Sequence, residues 1–149
     1  MVNAGSEIDG TTLWVRNLLI SGVADPISGT RASDEKFVMT SYPQRPVKYP
    51  YITVEVDGIS QSKLGIASQG MITEIPVEVR VWSQSTKQRD RVSGEVINVL
   101  RNNQLNVSSG ASSEGLFDYK LINTTNIDEE GNRGIHSKVI ESRYKFITI

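Results

Sequence analysis

The stretch that most constrains this chain is MITEIPVEVRVWSQSTKQRDRVSGEVINVLRNNQ, residues 71 to 104, where one period replaces another. Val77, Val79 and Val81 alternate with Glu78, Arg80 and Trp82, the period of two of a half-buried strand. From Val92 onward the apolar positions are Val92, Val96, Val99 and Leu100, a single stripe at helical spacing. A strand must therefore run almost directly into a helix over 83–104 that lies across the sheet. Ser85 followed by Gln88 fits a capping box at the helix start. Gly94 sits off the stripe, where it weakens propensity and leaves packing alone. Pro76 cannot donate to a ladder, so strand 71–82 needs a bulge or an exposed edge there.

Upstream, Leu13, Trp14, Leu18 and Leu19 fall at helical spacing with Gly22 as a stop, which predicts a helix firm from Thr11 to Ser21. The breaker-rich residues 22–35 read as a loop, and KFVMTSYP (36–43) as a short strand ending at Pro43. In YITVEVDG (51–58), Ile52, Val54 and Val56 face one way and Tyr51, Thr53, Glu55 and Asp57 the other, before an Asp-Gly turn. Residues 59–70 are polar and too long for a tight hairpin, so they should project as a flap. A polar loop (105–115), a strand (116–127), a turn (128–134) and a last strand (135–149) complete the chain. The order α, β, β, β, α, β, β has no regular βαβ alternation. It predicts one α+β domain over 1–149, a mainly antiparallel sheet with both helices on one face, and 22–35, 59–70 and 105–115 as mobile loops.

Chemistry is scarce. The 149 residues hold no cysteine and one histidine, His136, which excludes a thiolate site and leaves a metal centre short of ligands. No phosphate-binding glycine loop, dinucleotide fingerprint or nucleophile elbow is present. DEEGN (128–132) has its glycine at the wrong place for a calcium loop and reads as a hairpin turn. The net charge of −1 argues against a protein that lives on phosphate contacts. No secretory signal or membrane span is visible, so the sequons at Asn106 and Asn123 are read as chance matches. The expectation is a non-enzymatic chain without cofactor, metal or membrane partner.

The off-face of the sheet remains. Tyr51 and Trp82 lie on the charged sides of their strands, and Tyr42 and Tyr49 crowd a proline-rich approach. Either loop 22–35 or loop 59–70 folds over these rings, or they belong to an interface, where Tyr, Trp and Arg are enriched. The interface candidates are Tyr49, Tyr51, Lys63, Arg80 and Trp82, joined by Lys87, Arg89 and Arg91 of the KQRDR run. Those cations stand in the first turn of a helix, where the macrodipole disfavours them.

Taken together, YPYITVEVDG, a flap, IPVEVRVWSQS and DRVSGEVINVLRNN resemble the tail-terminator (tail-completion, head-to-tail joining) family of long-tailed bacteriophages and related viruses. The resemblance runs from about Phe37 onward and is carried by Pro50-Tyr51 and by Val81-Trp82-Ser83. It implies a homo-hexameric ring on the last ring of the tail tube, which stops polymerisation and offers its other surface to the neck. The implied partners are further copies of itself, the tail tube protein and a neck or connector protein, with DNA passing the lumen without specific binding. The implied location is the virion, and the host cytoplasm during assembly. Two alternatives stand beside it: another neck component, such as a head-completion or adaptor protein, and a small-ligand domain with Tyr51, Lys63 and Arg80 under the 59–70 flap.

Overall fold

In a computed structural model, which describes residues 2–67, 69–104, 110–128 and 134–148, the chain is α+β. Helix α1 (Glu7–Gly22) precedes strands β1 (Val38–Met39), β2 (Tyr51–Val56), β3 (Ser60–Lys63) and β4 (Met71–Ser83). Helix α2 (Thr86–Asn102) and a short 3-10 turn (Ala111–Glu114) lead to β5 (Leu116–Asp128) and β6 (His136–Thr148). The sheet order is β1-β2-β4-β6-β5, with β3 paired to β4 below β2. Among the described residues only β1 and β2 run parallel, and every other pair is antiparallel.

β4 is the spine. It pairs with β6 along all of its length, from Met71 opposite Thr148 to Ser83 opposite His136. Ile75, Val77, Val79 and Val81 point to the helix side and are fully buried, as the alternation requires. They meet Ile52 and Val54 of β2, Ile140 and Tyr144 of β6, and Val92, Val96 and Leu100 of α2 in one core. Burying such a side chain contributes roughly 1.5–3 kcal/mol, so this valine ladder fixes the register of the whole sheet.

Pro76 is accommodated by a bulge. Val56 pairs with Val77 and Ser60 with Glu74, so four steps along β2–β3 face three along β4. The Pro76 carbonyl accepts from the Asp57 N–H at 3.2 Å. In an antiparallel ladder a residue's donor and acceptor face the same neighbour. The donor that Pro76 lacks would therefore point at the broken β2–β3 junction.

Three elements differ from the sequence reading. Residues 59–70 are not all flap, because Ser60–Lys63 form β3 on the edge left open by β2. The 36–43 strand shrinks to two residues, since Pro43, Pro46 and Pro50 keep the 40–50 segment out of a ladder. In α1 the fully buried positions are Thr11, Val15 and Leu19, with Trp14 and Leu18 packed beside them and Leu13 half exposed. Gly22 does end the helix, and it is also a contact: a Cβ there would lie 2.9 Å from two Val99 methyls on α2. The strand 116–127 and the final strand occur as β5 and β6, whereas residues 105–109 and 129–133 of the sequence-predicted loop and turn lie outside the described residues.

At the start of α2 the cap is modified. Ser85 Oγ accepts from the Gln88 N–H at 3.4 Å. The return half runs through Ser83, whose hydroxyl donates to Gln88 Oε1 (3.0 Å) and accepts from the Ser85 N–H (3.1 Å).

Candidate functional site

Both helices lie on one face of the sheet, which leaves the other to be built from the even-numbered residues of β4. At its upper end Tyr51 and Trp82 are directly opposite one another on β2 and β4. Their rings stack at 5.9 Å. Tyr42 meets Trp82 edge-on at 5.3 Å, and Tyr49 leans on Tyr51 at 5.2 Å. The cover therefore comes from the proline-rich 40–50 segment, and not from the 22–35 or 59–70 loops. Trp82 Nε1–H donates to Thr53 Oγ1 (3.2 Å), so the indole keeps a polar partner while 7% exposed. Burial first, and then the neighbouring Tyr42 and Tyr49 hydroxyls, push the Tyr51 phenol well above its ordinary range.

Arg80 joins the same group. Its guanidinium carbon lies 3.9 Å from the Trp82 ring centroid, and its Nε and Nη2 donate to Ser137 Oγ at 3.2 and 3.0 Å. A cation over an indole face is attracted by the ring quadrupole, which answers why charge and tryptophan share a face. A cleft of about 380 Å³ opens between Tyr42, Thr53, Glu55, Glu78, Arg80 and Trp82.

The 40–50 segment is held by a residue the sequence did not single out. Arg31, its side chain 4% exposed, forms an ion pair with Asp25 at 2.7 Å. It also donates to the Lys48 carbonyl (2.9 Å) and the Pro50 carbonyl (2.7 Å), and lies over Phe37. Burial alone would raise the Asp25 pKa, but the hydrogen bonds from Arg31 and from the Ile27 N–H, with the Arg31 charge, outweigh it and hold the carboxyl below its usual value. Arg31 thus ties the 22–35 loop to the cis Tyr49–Pro50 bond at the entry to β2.

Tyr49, Tyr51, Arg80 and Trp82 thus meet, and the remaining candidates do not join them. Lys63 pairs opposite Met71 at the far end of β4 and is exposed, so it shares no cleft with Arg80. Lys87 and Arg91 are exposed on α2, Arg91 lying 3.8 Å from Glu95. Arg89 is 6% exposed and forms an ion pair with Asp90 at 3.0 Å. Asp90 also takes Lys138 at 2.8 Å, and Asp128, 3.9 Å from Arg89, takes His136 at 2.8 Å. This network ties the start of α2 to the upper ends of β5 and β6.

A row of carboxylates was also missed. Glu55, Glu78 and Glu141 are directly opposite one another across β2, β4 and β6, on the face without helices. Desolvation, then the charges of Asp57 and Glu55, raise the Glu78 pKa, and Arg80 opposes them. Like charges placed directly across strands destabilise a sheet. The alternation showed Glu55 and Glu78 on the same side as Trp82; only strand register sets them abreast of Glu141.

The sequence matches no family model and no curated protein. Its fold is shared with a chain from a solved structure described as "Virion of native gene transfer agent (GTA) particle". The two superpose with a TM-score of 0.60 at 14% identity, over 93% of this chain and 97% of that one. At that identity the likeness is one of fold.

Proposed function

We propose that this chain is a structural virion protein that assembles as a ring on the end of a tail tube, stops tail polymerisation and presents a surface to the neck. The observation that carries the reading is the nearly end-to-end fold overlap with a chain of the gene transfer agent virion, 93% of one and 97% of the other. The sequence resemblance to tail terminators points the same way. Six copies is the ring size that the resemblance implies, with the tail tube protein on one side, a connector on the other and DNA in the lumen.

Native mass spectrometry of the chain, alone and mixed with tail tubes, together with electron microscopy of the tube ends, tests this. Rings, or density capping one end of the tube, are expected. A chain that remains monomeric and never decorates tube ends excludes the role. A second reading, another neck component, fits the same neighbour because the particle as a whole is what its description names. Loss of the gene separates the two: overlong tails mark a terminator, and full heads with detached tails of normal length mark a connector.

A further inference from the structure

β5 is an edge strand with no strand on its outer side among the described residues. It runs for 13 residues, and after Leu116 its side chains are exposed or half-exposed throughout. Residues 121–127, Leu-Ile-Asn-Thr-Thr-Asn-Ile, carry no charge, proline or glycine. Ile122 is 51% exposed, and Leu121 and Ile127 are each 37% exposed. Soluble proteins usually blunt such an edge with a lysine, a proline, a bulge or a short strand. β5 is irregular between Phe117 and Lys120 and between Leu121 and Asn123, and from Asn123 to Asp128 it is regularly paired with β6. An uncharged seven-residue segment of this composition is a template for another strand.

The opposite side of the sheet is open too. β1 covers β2 only at Ile52 and Thr53. Val54–Val56 of β2 and all of β3 have no strand on their outer side among the described residues. The polarities match. β2 and β3 run antiparallel to β4, β4 to β6, and β6 to β5, so β5 runs antiparallel to β2 and β3. A copy placed alongside by rotation about an axis parallel to the strands keeps these directions, so its β2–β3 edge meets β5 in the antiparallel sense. That contact uses a different surface on each copy, and a contact of this kind closes into a ring when the rotation permits.

We infer that the occupant of the β5 edge is the β2–β3 edge of a second copy, giving one sheet continuous from subunit to subunit. A β5-to-β5 twofold dimer would cover the β5 edges of both copies and leave both β2–β3 edges open, whereas head-to-tail pairing in a closed ring covers every edge. The inference rests on the ring reading above and specifies the surface that builds it.

The absence of cysteine makes the test direct. Asn123→Cys on β5 and Ser62→Cys on β3 are introduced separately and together in the full chain, with neighbouring positions on β5 scanned because a disulfide needs Cα atoms about 4.4–6.8 Å apart. Asn98→Cys, exposed on α2, is the control. Oxidation should link the two single variants in mixture, and should turn the double variant into a ladder that ends at the closed ring. Ile122→Lys should abolish the ladder while circular dichroism shows an unchanged fold. Asn123→Cys linking to itself as readily as to Ser62→Cys would overturn the pairing, as would a ladder that Ile122→Lys leaves intact. Rings seen by native mass spectrometry without any cross-link refute the edge contact and leave the ring standing. No assembly under any condition removes both.

Discussion

Trp82 shows what a single residue's environment decides. Strand alternation alone places it on a charged face, and the structure supplies the partners that make that tolerable: Tyr51 stacked, Tyr42 edge-on, Arg80 over the ring and Thr53 accepting the indole N–H. Since the cover belongs to the same chain, Trp82→Ala should act on folding. Truncating a buried tryptophan typically costs about 3 kcal/mol or more, and urea unfolding of the isolated chain should show a loss of that size. Tyr42→Ala, at a ring 63% exposed, should cost about 1 kcal/mol. Equal losses for the two would mean that the stack is not organised around the indole. The tryptophan's face was legible in the sequence. Its neighbours were not, because Tyr42 and Tyr49 reach it through a segment with no periodicity to read.

At the scale of elements, the two helices carry a matched pair of glycines with opposite roles. Gly94 is exposed near the middle of α2, and a Cβ there would meet nothing within 4 Å. Gly94→Ala should stabilise the chain by about 0.5–1 kcal/mol, the propensity difference. Gly22 ends α1 where a Cβ would sit 2.9 Å from both Val99 methyls. Gly22→Ala should destabilise by about 1–3 kcal/mol, the usual range for overpacking, and Val99→Ala in the same chain should recover part of it. Thermal melts of the three variants check both signs. Helix α2 was readable because its stripe and cap are local. Helix α1 was only half readable: its buried row of Thr11, Val15 and Leu19 includes a threonine, and its exposed face includes Leu13 and Ile20.

For the molecule as a whole, the sheet gathers charges that the chain keeps far apart. The Glu55–Glu78–Glu141 row spans three strands, and desolvation first, then the charges of Asp57 and Glu55, raise the Glu78 pKa. The sign comes from linkage. Below the ordinary glutamate pKa of about 4.3 both folded and unfolded forms hold the proton, and the row has no effect. As pH rises through the folded-state value, the folded chain must ionise Glu78 against its neighbours, and stability falls. Glu78→Gln should therefore raise the melting temperature at pH 7 and leave it unchanged near pH 3.5. The neutral-pH gain should be on the order of 0.5 kcal/mol, the scale of a cross-strand charge pair. A gain of the same size at both pH values would assign it to side-chain packing instead.

The sequence by itself determined the α+β class, the register of β4, the switch from strand to helix at Ser83 and the need for a bulge or an exposed edge at Pro76. Each stems from period, capping or a missing donor, which are properties of neighbours along the chain. Tertiary structure alone decided that β3 fills the edge below β2, that Arg31 latches the 40–50 segment over Trp82, and that three glutamates stand abreast. Among the described residues it also left β5 and the β2–β3 edge open on opposite sides of one sheet with matching polarity. Strand pairing joins residues tens of positions apart, and a chain read in order does not display which of its edges will meet.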